Sequence, residues 1–325
     1  MDHRVRIAQP GGPEVMDFQP FDPPAPGPGE ALIRHRAIGV NMIDTYHRSG
    51  LYGLPLPATL GVEAAGVIEQ LGAGSEGLGL SVGDRVAYVS SKPGAYATTA
   101  LVPAERLVPL PDEVADEVAA ATLLKGMTVE LLIRRVHAVR FAEPVLFHAA
   151  SGGVGTLALQ WLADLGAKVI ATVGSDEKAE LARRHGAEHT IVYTREDFKA
   201  RVRELYPQGV PVVYDSVGKA TFEGSLDCLA PRGLLVSFGN ASGKPPLLDV
   251  LTLSTKGSLF LTRPTLFAYI RTREELLASA GALFAQLTAG KIRPEISARF
   301  PLSAAAEAHR ALESRSTTGQ LILLP

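Results

Sequence analysis

From Val145 onward, apolar residues fall into short blocks separated by amphipathic stretches. Val145-Leu146-Phe147, Lys168–Val173, Thr190-Ile191-Val192, Val210–Tyr214 and Gly233–Phe238 read as buried strands. Between them Val154–Leu165, Asp176–His185, Glu196–Leu205 and Thr221–Leu229 carry apolar positions at helical spacing. Strands alternating with helices in this way predict a parallel, doubly wound sheet with helices on both faces. Ahead of this region, Arg4 to about Glu105 is dense in Gly and Pro, with short runs such as Ala31-Leu32-Ile33 and Ala64–Ile68, which predicts a mostly β domain. Asp112–Arg140 then reads as helix, with Asp116 near its N-cap. Beyond about Pro264 the alternation stops, and the pattern predicts one amphipathic helix over Arg273–Leu287 and a closing strand over Gln320–Leu324. Because the βα region sits mid-chain, the C-terminal segment is expected to return to the first domain. That gives residues 1–124 and 265–325 as one domain and 125–264 as the other.

The most informative local motif is His148-Ala149-Ala150-Ser151-Gly152-Gly153-Val154-Gly155, between a predicted strand and a predicted helix. It has the form Ala-x-Gly-x-x-Gly. In a dinucleotide fold the first small residue permits the tight turn, the second lets backbone N–H groups approach a pyrophosphate, and the third lets helix and strand pack closely. An isolated match of this kind is equally compatible with plain packing; the flanking strand and helix are what favour a nucleotide. The next strand ends in Thr172-Val173-Gly174-Ser175, with no carboxylate at the tip to accept from a ribose 2′-hydroxyl. A 2′-phosphate is tolerated there, and Lys178 is placed to neutralise it, so NADPH is expected rather than NADH. Asp176 and Glu177 count against this unless they serve the helix start. Tyr193 offers a hydroxyl to the same site or is an ordinary strand-end tyrosine.

Composition narrows the remaining classes. With 325 residues, 46% hydrophobic and 20% charged, the chain has the makings of two packed domains. Thirty-two Lys+Arg against 34 Asp+Glu leave no bulk attraction for nucleic acid or an anionic membrane. No apolar run is long enough for a membrane span and the first residues do not read as a secretory signal, so a cytoplasmic protein is expected. The lone Cys228 forms no intrachain disulfide and no thiolate cluster, and is read as a core filler. The eight histidines are read as structural or surface groups, His148 as a satisfied core side chain.

These motifs, with Gly11–Val15, Gly39–Tyr46, Arg48–Tyr52, Gly61–Gly66, Val213–Gly218, Ser237–Asn240, Thr262-Arg263-Pro264 and Glu313-Ser314-Arg315, resemble the zinc-independent medium-chain dehydrogenases/reductases over the whole chain. The likeness is to the NADPH:quinone oxidoreductase, or zeta-crystallin-like, group. It implies an α/β fold in which a Rossmann NADPH-binding domain accompanies a mostly β GroES-like domain. Zinc-dependent relatives carry a Cys near Asn41 and a His just before Glu63; here Asn41 and Val62 stand there, and no metal is expected.

Carried over, the resemblance implies that Met42, Ile43, Asp44, Thr45 and Tyr46, and Pro264, Thr265 and Leu266, flank the nicotinamide, with Phe238, Gly239, Asn240 and Ala241 beside it. Gly152, Gly153 and Val154 would approach the pyrophosphate. Gly174, Ser175, Lys178 and Tyr193 would surround the 2′-phosphate, and Ser216 and Arg315 would complete the contacts. Leu131 stands where similar relatives carry a Tyr. For the acceptor pocket the expected residues are Asn41 as amide donor, Tyr46 and Tyr52 as walls and hydroxyl donors, and Arg263 as a positive charge. The tyrosines read equally well as buried aromatics, and Asp44 as a helix cap, an orienting group or a proton relay. The expected activity is quinone reduction by hydride or electron transfer. An alkenal or enone reductase is the alternative enzyme, and an NADPH-binding structural or RNA-associated protein the alternative of another class. A homodimer is expected through the sheet edge around Gly257–Thr262.

Overall fold

A computed structural model describes residues 1–314 and 317–325. The chain divides into two compact units. Unit 1 comprises Met1–Met127, Ile270–Thr288 and Pro294–Pro325; unit 2 comprises Thr128–Tyr269 and Ala289–Arg293.

Unit 1 opens with β1 (Asp2–Ile7), β2 (Asp17–Phe21) and β3 (Glu30–Gly39), then α1 (Met42–Arg48). It continues through β4 (Ala58–Thr59), β5 (Glu63–Leu71), β6 (Arg85–Val89), β7 (Thr99–Pro103) and β8 (Val108–Pro109) to α2 (Asp116–Glu130). A wider π turn, Leu131–Val136, replaces the continuous helix expected up to Arg140. Unit 2 then runs β9 (Pro144–Phe147), α3 (Gly153–Asp164), β10 (Lys168–Val173), α4 (Asp176–Arg184), β11 (His189–Val192) and α5 (Phe198–Leu205). It closes with β12 (Val210–Asp215), α6 (Phe222–Asp227), β13 (Leu229–Ser237), α7 (Leu251–Thr255), β14 (Phe260–Thr262) and α8 (Leu266–Tyr269). The chain ends with α9 (Arg273–Thr288), β15 (Ile296–Pro301), α10 (Ala305–Glu313) and β16 (Gln320–Leu324).

The sheet of unit 2 is ordered β11-β10-β9-β12-β13-β14 and every pairing in it is parallel. The order reverses between β9 and β12, so the strand ends there form a topological switch point. Val145, Leu146, Val169, Ile170, Val212 and Val213 are almost completely buried, as a sheet covered on both faces requires. Cys228 is part of this core, and burial pushes its thiol up to about 12.

Unit 1 has a seven-stranded sheet in which β15-β16-β3-β5-β6-β8 are paired in that order and β7 pairs with β3, and a separate three-stranded sheet β2-β1-β4. β16 pairs antiparallel with β3, so the C-terminal strand returns to the first part of the chain. Val5, Ile33, Ile38, Ile68, Val86, Tyr96 and Leu323 share one core. Alternation along β3 puts Ile33, His35 and Ala37 inside while Arg34 and Arg36 face solvent.

Candidate active site

The cofactor candidates of unit 2 collect at one edge. Because the sheet is parallel, the turns after β9, β10, β11, β12, β13 and β14 all lie at the carboxyl ends of the strands. They carry Ala149–Val154, Gly174-Ser175, Tyr193, Ser216, Phe238–Ala241 and Arg263–Leu266 respectively. At the first of them Gly152 accepts at its carbonyl from Thr156, and α3 starts at Gly153 with no side-chain cap. Backbone N–H groups at a helix start of this kind can bind an anion. A Cβ on Gly155 would lie 2.6 Å from the Ala149 carbonyl oxygen and from Ala150 backbone atoms, so the third small residue of the motif is a steric necessity. Ala149 itself adopts φ 53°, a left-handed conformation that costs a non-glycine residue about 1 kcal/mol. The tight turn is thus held partly under strain.

At the tip of β10, Ser175 caps α4, its hydroxyl accepting from the Lys178 N–H at 3.3 Å. The Tyr193 hydroxyl lies 3.0 Å from where a Cβ on Gly174 would stand, so a larger residue at 174 would press on it. Burial lowers the pKa of the half-buried Lys178 ammonium, which therefore gains from any anion brought beside it. Ser216 meets the turn after β13: its carbonyl accepts from the Ala241 N–H at 3.2 Å, and a Cβ on Gly239 would lie 2.3 Å from the same oxygen. Arg263 donates to the Ser237 hydroxyl at 3.0 Å and to the Gly239 carbonyl at 2.9 Å, which ties the turn after β14 to the turn after β13. Pro264, Thr265 and Leu266 follow directly, with Leu266 buried. Arg315 lies outside the described residues.

A buried polar network braces these turns from below. Asp215, at the end of β12, accepts at Oδ1 from the N–H groups of Val217 and Gly218, at 2.8 and 3.0 Å. Its Oδ2 accepts from the Ser225 hydroxyl at 2.9 Å. Ser225, having donated its proton, accepts from His148 Nε2, and the Thr172 hydroxyl donates to Nδ1 at 2.8 Å. His148 is thus a satisfied core imidazole whose pKa burial lowers, although nearby Asp215 partly opposes the shift.

In unit 1, the acceptor candidates sit on and around α1. Asn41 is the N-cap and α1 opens with Met42 and Ile43, both half-buried; the side chain of Asp44 folds back to accept from the Asn41 N–H at 2.8 Å. The capping reading of Asp44 therefore holds in the form of a capping-box acceptor rather than the cap itself. Thr45 turns its hydroxyl onto the Met42 carbonyl at 2.8 Å. Tyr46 and Tyr52 meet edge to face with ring centroids 5.3 Å apart. The structure therefore brings the two tyrosines together.

Behind α1 lies a charged cluster that the sequence did not reveal as one. Asn41 Nδ2 donates to Glu63 Oε2 at 2.9 Å, and Lys125 Nζ stands 3.7 Å from the same oxygen. Glu63 and Asp44 are fully buried and Lys125 nearly so. Burial raises the Glu63 carboxyl and lowers the Lys125 ammonium, and each partly restores the other. Asn41 is thus tied by its amide to a buried carboxylate that stands beside a protein cation.

On its other side Asp44 ends a string of donors. Arg48, which can only donate, bonds His309 Nδ1 at 3.0 Å, so Nε2 carries the imidazole proton and donates to Tyr96. The Tyr96 hydroxyl then donates to Asp44 Oδ2 at 3.1 Å, and Arg48 is anchored by Glu313 at 2.7 Å. Burial, with Arg48 beside it, drives the His309 pKa down to about 3. His309 has no nitrogen free for a second proton, so this string fixes orientation and does not relay protons. The signals for these residues were faint: a lysine inside the apolar run Ala119–Val129 and a glutamate opening the buried strand β5.

A parallel nucleotide-type sheet with its glycine-rich turn at the strand ends, joined in one chain to a second, mostly antiparallel β unit, defines a medium-chain dehydrogenase/reductase. Family models agree. Residues 27–112 match the alcohol dehydrogenase GroES-like domain and residues 153–285 the zinc-binding dehydrogenase model. A quinone oxidoreductase of Pseudomonas aeruginosa is 52% identical over the whole of both chains. The crystal structure of Escherichia coli quinone oxidoreductase complexed with NADPH superposes with a TM-score of 0.97 at 45% identity, covering 99% of this chain and all of that one. A 2-haloacrylate reductase of Burkholderia is 43% identical over 98% of each chain. The chain belongs to the zinc-independent quinone oxidoreductase family of medium-chain dehydrogenases/reductases.

Proposed function

We propose that the protein reduces quinones with NADPH, the sheet of unit 2 binding the nucleotide. The observation that carries this reading is the carboxyl edge of the unit 2 sheet. There a helix start with glycine at the N-cap, the tip Gly174-Ser175 without a carboxylate of its own and the half-buried Lys178 offer the three things a phosphorylated dinucleotide needs. Bound NADPH supplies the hydride. Gly152, Gly153 and Val154 approach the pyrophosphate, and Lys178, Ser175 and Tyr193 read the 2′-phosphate. Ser216, Phe238–Ala241 and Pro264–Leu266 are assigned to the remainder of the cofactor, together with Met42–Tyr46. Asn41, Tyr46, Tyr52 and Arg263 are assigned to the acceptor: Tyr46 and Tyr52 give flat walls, and Asn41 keeps one amide hydrogen after donating the other to Glu63. The negative charge formed on the acceptor oxygen is met by these donors, and the proton that completes a hydroquinone comes from water.

NADPH oxidation with a simple para-quinone, followed optically beside NADH, tests the reading. Lys178→Ala is expected to raise KM for NADPH about tenfold, equivalent to about 1.4 kcal/mol, and to leave KM for NADH unchanged. NADPH binding without quinone turnover would sink the quinone assignment. The Burkholderia relative favours one second reading, reduction of a conjugated alkene, which turnover of an enone but not of a quinone would establish.

We also assign a homodimer in the cytoplasm. Among the described residues no helix is long and apolar enough to cross a membrane. β14 is the last strand of its sheet and leaves Phe260 61% and Leu261 36% exposed, while Val250 and Leu251 nearby in sequence are also exposed. An apolar edge of this kind is suited to pairing with a second copy. Sedimentation equilibrium is expected to give a dimer at micromolar concentration and a monomer for Leu261→Asp; a monomeric unmodified protein would remove the assignment.

A further inference from the structure

The turn after β11 carries a further cation, Arg195. It grips Asp176 with two short bonds, 2.5 and 2.6 Å, across the gap between the tips of β11 and β10. The two tips are laced together: the Tyr193 N–H donates to the Val173 carbonyl at 3.1 Å and the Thr194 hydroxyl to the Gly174 carbonyl at 3.3 Å. Arg195 therefore stands at the same tip as Gly174, Ser175, Lys178 and Tyr193. Its neighbours are otherwise occupied. Glu196 accepts from the Val192 N–H at 2.9 Å, and Glu177 is held by Ser175.

The charge balance at this tip is informative. Lys178 and Arg195 stand against the carboxylates Asp176, Glu177 and Glu196, so without Arg195 a single cation is left to oppose three acids. The more negative tip left without Arg195 repels a phosphate dianion more strongly. The Arg195–Asp176 pair is also exposed, at 58% and 65% of the two side chains, so water competes for it and it is held weakly. A guanidinium fork fits a phosphate as well as a carboxylate, and a phosphate monoester brings about −1.5 to −2 charges at pH 7 against −1 for Asp176.

We propose that Arg195 is a 2′-phosphate ligand and a determinant of NADPH selectivity, exchanging the Asp176 carboxylate for the cofactor's 2′-phosphate on binding. Asp176 is then the resident competitor that keeps Arg195 at the tip. This rests on the NADPH reading above and explains why a carboxylate directly after Ser175 does not oppose that cofactor.

Calorimetric titration of NADP⁺ and NAD⁺ into the unmodified protein, Arg195→Ala, Asp176→Ala and the double variant tests it. All the side chains changed are exposed, so the fold is retained. Arg195→Ala is expected to weaken NADP⁺ about tenfold, an effect of the size of one charge-assisted contact, with NAD⁺ changing less than about twofold. Asp176→Ala is expected to tighten NADP⁺ about threefold by freeing Arg195. The double variant is expected to stay weak. Recovery of unmodified affinity in the double variant would show that Arg195 only masks Asp176, and unchanged NADP⁺ binding in Arg195→Ala would show that it does nothing; either overturns the proposal. Equal binding of NADP⁺ and NAD⁺ by the unmodified protein would overturn it together with the cofactor reading.

Discussion

Lys125→Met is expected to lower the stability of the protein by about 3–5 kcal/mol at pH 8, the usual cost of removing one partner from a buried ion pair. The methionine fills nearly the same volume, so packing is largely kept and the loss is electrostatic. Lys125 Nζ is 3.7 Å from Glu63 Oε2, and Glu63 has no exposure through which water could replace it. The remaining partners of Glu63 are the Asn41 amide and the Leu124 N–H, which orient the carboxylate without neutralising it. The loss is expected to shrink at pH 5.5. Burial already pushes the Glu63 carboxyl up, and without the ammonium it rises further until the group is neutral. The double variant Lys125→Met/Glu63→Gln is expected to regain most of the loss, because a buried pair replaced on both sides is often close to neutral. Urea unfolding at the two pH values measures all three. A single variant within about 1 kcal/mol of the parent at pH 8, or a double variant no better than the single, would mean that the two charges do not support one another.

Position along the chain decided what could be foreseen. The strands and helices of unit 2 each write a local period, so β10 runs over Lys168–Val173 as its apolar block indicated and α3 starts one residue before the expected Val154. The glycine-rich turn is contiguous, and its meaning depends only on the strand before it and the helix after it. The expected helix to Arg140 failed because Leu131–Val136 keep helical composition while widening into a π turn, a change in hydrogen bonding that side-chain periodicity does not record. The buried cluster was illegible for a different reason. Asn41, Asp44, Glu63, Lys125, Tyr96 and His309 come from α1, β5, α2, α10 and a loop, and no spacing rule joins residue 44 to 96 or 96 to 309. Arg195 was missed because its value depends on Asp176, nineteen positions earlier and beside it in space.

Asp44→Asn is expected to be close to neutral at about pH 4 and stabilising by pH 8. Asp44 Oδ2 accepts from the Asn41 N–H and from Tyr96, while Oδ1 is buried with no partner. Burial, opposed by those two bonds and by Lys125 and aided by Glu63, raises the carboxyl to about 7. A carboxyl that binds its proton more tightly in the folded protein than in the unfolded chain contributes stability that is full below about pH 4 and lost as pH rises through about 7. A carboxyl raised that far corresponds to roughly 4 kcal/mol across that window. The buried histidines act in the opposite sense. His35 and His309 are lowered to about 4 and about 3, so their contribution is present above about 6.5 and lost as pH falls. The parent profile is therefore a difference of opposing slopes, and only subtracting it from the variant isolates Asp44. Asparagine reproduces the protonated acid: its oxygen accepts the same two bonds, and its amide takes the place of the Oδ1 proton. Unfolding measured from pH 4 to 9 is expected to show the variant gaining steadily on the parent from about pH 4, by several kcal/mol in all, and the gain levelling off near 7. In Tyr96→Phe, which removes a donor that favours the carboxylate, the pH at which the gain levels off is expected to move upward. A variant-minus-parent difference constant over the whole range would show that Asp44 is ionised throughout, and that the donor string from Arg48 serves only to hold α10 against α1.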